Sequence, residues 1–241
     1  MLLSLPVALP AQPSNPGGSP VRYEPLDSWP YAYEDFISGV VRTRKGGTLE
    51  YDQLNVNIAN GKLHYVEKGT IMQADMNNVY TVLVGAEVYI NYMGTLYKVL
   101  DELEKGAYLS RVSVDVDRLN STDIGYGVSS STATSRRATL TSLGIDSAGG
   151  NNMTDMSMSR AIEQKGSGSV LPLKTETYFY VYNILIPATR RDVLATPGVD
   201  PKAAKEFMKK NKVNWNKPLT QYPLIDFLYD QLDAYNKKNK Q

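Results

Sequence analysis

The residues able to do acid–base or metal chemistry are few, and they lie far apart in the chain. Histidine occurs once, at His64, and cysteine is absent. The imidazole is the natural first candidate for proton transfer near neutral pH. It sits in an alternating pattern that places it opposite Asn57, away from the apolar face of Leu63 and Tyr65. A histidine beside an asparagine on a half-polar face reads as a hydrogen-bonding partner, and spacing reveals no serine–histidine–acid set. Asp115 and Asp117 stand two apart, so both carboxylates project from one strand face with Cα atoms roughly 7 Å apart. Such a pair suits a cation or a general acid and base. Asn120 extends the string, but Leu119 stands where a calcium loop needs its third ligand. The favoured reading of the aspartates is the solvated face of a strand whose inner face is Val112, Val114 and Val116.

Binding residues are easier to nominate. Trp29, Tyr31 and Tyr33, with Tyr23 and Phe36, form an aromatic cluster. It suits a sugar or peptide platform, or a staple of the N-terminal segment onto the sheet, and stapling is the preferred reading. The acidic run Asp101, Glu102 and Glu104 reads as a solvated turn. Residues 190–217 carry eight basic side chains against three acidic ones, which on an amphipathic helix is the outer face. No nucleotide loop, nucleophile elbow, SxxK dyad or HExxH motif occurs. Without cysteine there is no disulfide framework, thiol nucleophile, thiolate metal site or lipoprotein anchor. No cofactor is expected.

The elements that must position these residues are mostly strands. From residue 38 to 117 the pattern has period two and is broken by glycine turns, as in a β meander. Residues 51–58 alternate Leu54, Val56 and Ile58 with Asn55 and Asn57, and Asn60-Gly61 predicts a two-residue type I′ turn. That turn pairs Ile58 with Leu63 and Val56 with Tyr65. Further strands are expected at residues 79–84, 87–92 and 95–100, with Met93-Gly94 as another tight turn, and at 108–117. There Arg111, Ser113, Asp115 and Asp117 are expected to face outward. A strand over residues 175–184 sets Tyr178, Tyr180 and Tyr182 against Phe179 and Val181 on the other face. Asp200-Pro201 is an N-cap and first-turn pair for a helix carrying Ala203, Ala204, Phe207 and Met208. A second helix, residues 220–235, aligns Leu224, Leu228, Leu232 and Tyr235. The fold expected is mainly β (α+β): an antiparallel sheet, as a sandwich or curled barrel-like meander, with two C-terminal helices.

The domain plan follows from composition. Residues 1–11 read as the apolar part of a signal peptide, although the first basic residue is Arg22, and residues 12–30 as a flexible leader. The β domain is expected over 31–184, interrupted at 118–170 by a mobile Ser/Thr/Gly-rich insertion, with a helical segment over 185–241. Asn120-Ser-Thr and Asn152-Met-Thr match the N-glycosylation pattern. Net charge is +1 over 241 residues, giving no general pull towards nucleic acid, and no apolar run is long enough for a membrane helix.

Taken in order, Gly39-Val-Val, Leu54-Asn-Val-Asn, Leu63-x-x-Val66, Gly94-x-Leu-Tyr-Lys-Val-Leu, Gly106-Ala-Tyr-Leu and the residues from Lys205 to Trp215 form a recognisable series. Over about residues 38–235 the chain resembles uncharacterised exported proteins from the cell envelopes of Gram-negative gut bacteria. The resemblance implies an exported, periplasmic or outer-membrane-associated protein, with an envelope or outer-membrane protein complex as its partner. It supplies no catalytic residues, and under it Asp146-Ser147-Ala148 is similar to the O-glycosylation signal of such envelopes. The leading expectation is a non-enzymatic binding or assembly module. A hydrolase or metal-assisted enzyme using Asp115, Asp117 and His64 comes second, and a small-ligand carrier with a pocket in the sheet third.

Overall fold

A computed structural model describes residues 30–115, 156–157, 159 and 173–239. Trp29, Asp117, Asn120, Asn152, Asp146-Ser147-Ala148, the leader and most of the expected insertion lie outside the described residues. The chain is mainly β. Eight strands run in succession: β1 (Ile37–Thr43), β2 (Thr48–Asn57), β3 (Lys62–Glu67), β4 (Thr70–Gln73), β5 (Val79–Val84), β6 (Glu87–Tyr92), β7 (Thr95–Leu103) and β8 (Gly106–Val114). The two-residue β9 (Met156–Ser157), β10 (Leu173–Val181) and β11 (Ile184–Pro187) follow. All join one antiparallel sheet in the order β11-β10-β8-β7-β6-β5-β1-β2-β3-β4-β9.

Two meanders, β1–β4 and β5–β8, meet along β1 and β5. The joined sheet curls on itself. Although four strands separate β7 from β3 in the sheet order, Leu96 N–H donates to the Gly61 carbonyl at 2.8 Å. Lys62 Nζ donates to the Gly94 carbonyl at 2.7 Å. No β3–β7 ladder completes the ring among the described residues, so the sheet is curled but open. Its concave side packs Val41, Leu54, Val56, Leu63, Val82 and Leu96 into one core.

The local expectations meet three corrections. The β2–β3 hairpin turns through four residues, because Asn57 Oδ1 accepts from the N–H groups of Ala59 and Asn60 and only Gly61, at φ +70°, is left-handed there. Val56 therefore pairs with Leu63, Leu54 with Tyr65, and His64 with Asn55 instead of Asn57. The expected strand 175–184 breaks at Tyr182-Asn183, both at positive φ, into the hairpin β10–β11. Ser113, expected outward, is buried. Met93-Gly94 does form the tight turn, with φ of +48° and +80°.

The helices cover one end of the concave side. They are α1 (Arg190–Ala195), α2 (Pro201–Lys210) and α3 (Pro223–Asn239). Asp200 caps α2 by accepting from Lys202 N–H. Leu224, Ile225, Leu228 and Leu232 form the buried stripe of α3 against Tyr108, Phe179 and Val181. Each such apolar side chain contributes about 1.5–3 kcal/mol on full burial. Tyr235, expected on that stripe, is 44% exposed and packs over Gly198, where a Cβ would come within 2.7 Å of its ring.

Candidate functional site

The site grows from the alternation of strands. Glu87 and Tyr89 stand two apart on β6 and so share the concave face. Register carries that face across the sheet: Tyr89 lies opposite Lys98, Lys98 opposite Ser110, and Ser110 opposite Thr177. Polar groups thus form a row over β6, β7, β8 and β10. On both sides of the row the lining is apolar, including Ile37, Val56, Leu96, Leu100 and Val112. Together they bound a cavity of about 740 Å³ between the curled half of the sheet and β10. That volume lies within the roughly 300–1,000 Å³ typical of small-molecule pockets.

Tyr33 reaches the cavity from outside the regular strands. The segment before β1 runs along β2, with Ala32 N–H donating to the Val56 carbonyl and Ile58 N–H to that of Pro30. Asn55, fully buried, clamps it: its Oδ1 accepts from Tyr33 N–H at 3.1 Å, and its Nδ2 donates to the Tyr33 and Asp35 carbonyls. Held this way, the Tyr33 hydroxyl donates to Glu87 Oε2 at 2.7 Å and lies 3.0 Å from the Tyr89 hydroxyl. Tyr89 also donates to Oε2, at 3.2 Å, and Lys98 Nζ pairs with Oε1. Burial disfavours the Glu87 carboxylate, but Lys98 and the two phenols outweigh it and hold the group below its ordinary range. The same burial, reinforced by Tyr89 and Glu87, drives the Tyr33 phenol well above its usual value.

Arg111 also borders the cavity, but by strand alternation its side chain leaves β8 on the face opposite Ser110 and Val112. Its guanidinium carbon lies 6.0 Å from the centre of the Tyr97 ring, and a side chain at Gly61 would meet it. Its Nε is shielded from solvent and has no hydrogen-bond acceptor among the described residues.

The residues nominated from sequence do not converge here. Tyr33 lines the cavity, whereas Tyr31, His64 and Asp115 do not. Tyr31 and His64 form a separate buried pair, 2% and 1% exposed, with the phenol 2.9 Å from Nδ1. Phe36 packs edge-on against Tyr31 at 4.9 Å. Burial lowers the His64 pKa to about 4, against a smaller opposing pull from the Gln73 side chain across the ladder. Its Nε2 makes no well-formed hydrogen bond among the described residues. Asp115 follows the end of β8 and is half-buried. Among the described residues no group of three or more metal-ligating side chains occurs. Glu87, Tyr89, Lys98, Ser110 and Thr177 went unnoticed in the sequence. Their signal is a polar residue at an inward position of an otherwise apolar strand, as at Lys98 between Leu96 and Leu100.

No family model, no curated protein and no solved structure matches this chain.

Proposed function

We propose that the chain is a non-enzymatic binding module of the bacterial cell envelope, and that it holds a small molecule in the concave cavity. The observation that carries the reading is the preformed polar row facing an apolar cavity of about 740 Å³. Apolar walls supply affinity and a few fixed polar groups supply orientation, which is the usual division of labour in a small-molecule site. Tyr33, Glu87, Tyr89 and Lys98 tie one another in place, so the wall is ordered before a ligand arrives. The envelope placement rests on the sequence resemblance over residues 38–235. An enzyme built on Asp115 and His64 has less support, because neither residue lines the cavity and His64 is sealed beneath Tyr31.

The test is an amide-resolved NMR titration of the full chain with a library of small amphipathic compounds. Saturable shifts are expected around Lys98, Ser110 and Thr177. Thr175→Trp fills the cavity from an exposed lining position, whereas Lys174→Trp places the same ring on the opposite face of β10. The first substitution is expected to remove the shifts and the second to leave them. Shifts that survive Thr175→Trp unchanged, or no saturable shifts at all, would defeat the reading.

A further inference from the structure

We infer that the ligand is an uncharged amphipathic molecule, with a hydrocarbon body along the apolar walls of the cavity and an oxygen head, hydroxyl or carbonyl, at Lys98 and Ser110. The inference rests on the cavity being a binding site, as proposed above.

Charge accounting along the wall carries it. Among the described residues, the ionised side chains that share the cavity face are Glu87 and Lys98, since Arg111 leaves β8 on the other side. Register sets them against each other. Tyr89 lies opposite Lys98, Glu87 stands two residues before Tyr89, and Lys98 Nζ pairs with Glu87 Oε1. The two phenols donate to the other carboxylate oxygen and help to keep Glu87 ionised. The charges facing the cavity therefore sum to zero. A charged head would shed its water on entering apolar surroundings, where each ion of the wall is already matched. An anion at Lys98 would also meet Glu87, and a cation at Glu87 would also meet Lys98. An uncharged head meets neither penalty.

Hydrogen bonding places that head. An ammonium carries three N–H donors, and Glu87 accepts from the Lys98 ammonium through Oε1. The remaining donors lie on a residue that lines the cavity. Ser110 stands directly opposite Lys98 across β7 and β8, on the same face, and lines the cavity too. Cross-strand neighbours of this kind are close enough for one ligand oxygen to reach both. The Ser110 hydroxyl can donate or accept, so it serves a carbonyl as a second donor and an alcohol as the acceptor of its proton. Beyond this pair the lining by Ile37, Val56, Leu96, Leu100 and Val112 matches a hydrocarbon body more than a sugar or nucleotide.

Isothermal titration calorimetry of the full chain tests this with 1-decanol and 2-decanone against decanoate and decylammonium, each below its aggregation limit. At least one uncharged compound is expected to bind about tenfold or more tightly than both ions, and whichever does identifies the head group. Ser110→Ala is expected to weaken that compound by about fivefold. Glu87→Gln strips Lys98 of its counter-ion, so the affinity of decanoate relative to the uncharged compound is expected to rise about tenfold. Either ion binding the wild-type chain as tightly as the uncharged compounds would overturn the inference without reference to any variant. So would a wild-type chain that binds none of the four, or a folded Glu87→Gln protein with an unchanged ratio. If an ion binds best and Thr175→Trp abolishes its binding, the cavity stands and only the uncharged head is lost. Binding of the uncharged compound untouched by Thr175→Trp would remove the cavity as the site, and the inference with it.

Discussion

Two clusters show how differently this fold treats its ionisable side chains. At the cavity, Glu87 keeps its charge because Lys98, Tyr33 and Tyr89 all donate to it. At the other, His64 is buried with a phenol at Nδ1, and its pKa falls to about 4. The unfolded chain, with the ordinary value of 6.5, then binds more protons than the folded one between pH 6.5 and 4. Stability should therefore be intact above about 6.5 and fall on acidification towards 4, by at most ~3 kcal/mol from this group. His64→Gln is expected to flatten that part of a Tm-against-pH curve, and an unchanged slope would refute the assignment. Glu87, whose pKa is lowered, adds a second loss at lower pH, as acid protonates it below its unfolded value of 4.5. Tyr31→Phe should cost about 1–3 kcal/mol in denaturant titration, since it strips the partner from a buried imidazole nitrogen. The burial of His64 was not legible in the sequence. Its pattern identifies a polar strand position, but the cover comes from Tyr31, thirty-three residues earlier.

At the scale of elements, face assignments survive errors that pairings do not. The β2–β3 hairpin shifts by two residues from the two-residue turn that Asn60-Gly61 suggests. Because side chains alternate with period two, Val56 and Leu63 stay on the concave face despite the new partners. What hid the shift is the Asn57 side chain, which caps the longer loop through Ala59 and Asn60. The break at Tyr182-Asn183 was hidden for a related reason: neither residue is the glycine that advertises a positive φ. Gly61 holds the curl, for at φ +70° a Cβ would lie 2.6 Å from Thr95 Cγ2 on β7. Gly61→Ala is expected to cost about 1–3 kcal/mol and to weaken ligand binding by loosening the β2–β3 turn from β7. Equilibrium unfolding beside calorimetry reads both. Asp200→Ala should lose about 1 kcal/mol by uncapping α2 and leave binding unchanged, so it controls for stability alone.

The whole molecule is where sequence reading reached least far. Strand periodicity, the Asp200-Pro201 cap and the α3 stripe are local signals, and they yield a β-rich chain with C-terminal helices. The cavity depends on pairings local pattern does not encode: β5 returning to β1, and β10 docking on β8 across a long intervening segment. The last step of the row, from Ser110 to Thr177, exists only once β10 has docked on β8. The account's central claim is that this row and its apolar walls hold a small molecule. Native mass spectrometry of the full chain, isolated from its source cells beside Thr175→Trp, tests it most directly. A stoichiometric small-molecule adduct is expected on the wild-type protein and missing from the variant. A bare wild-type chain, or an identical adduct on both, would contradict the account.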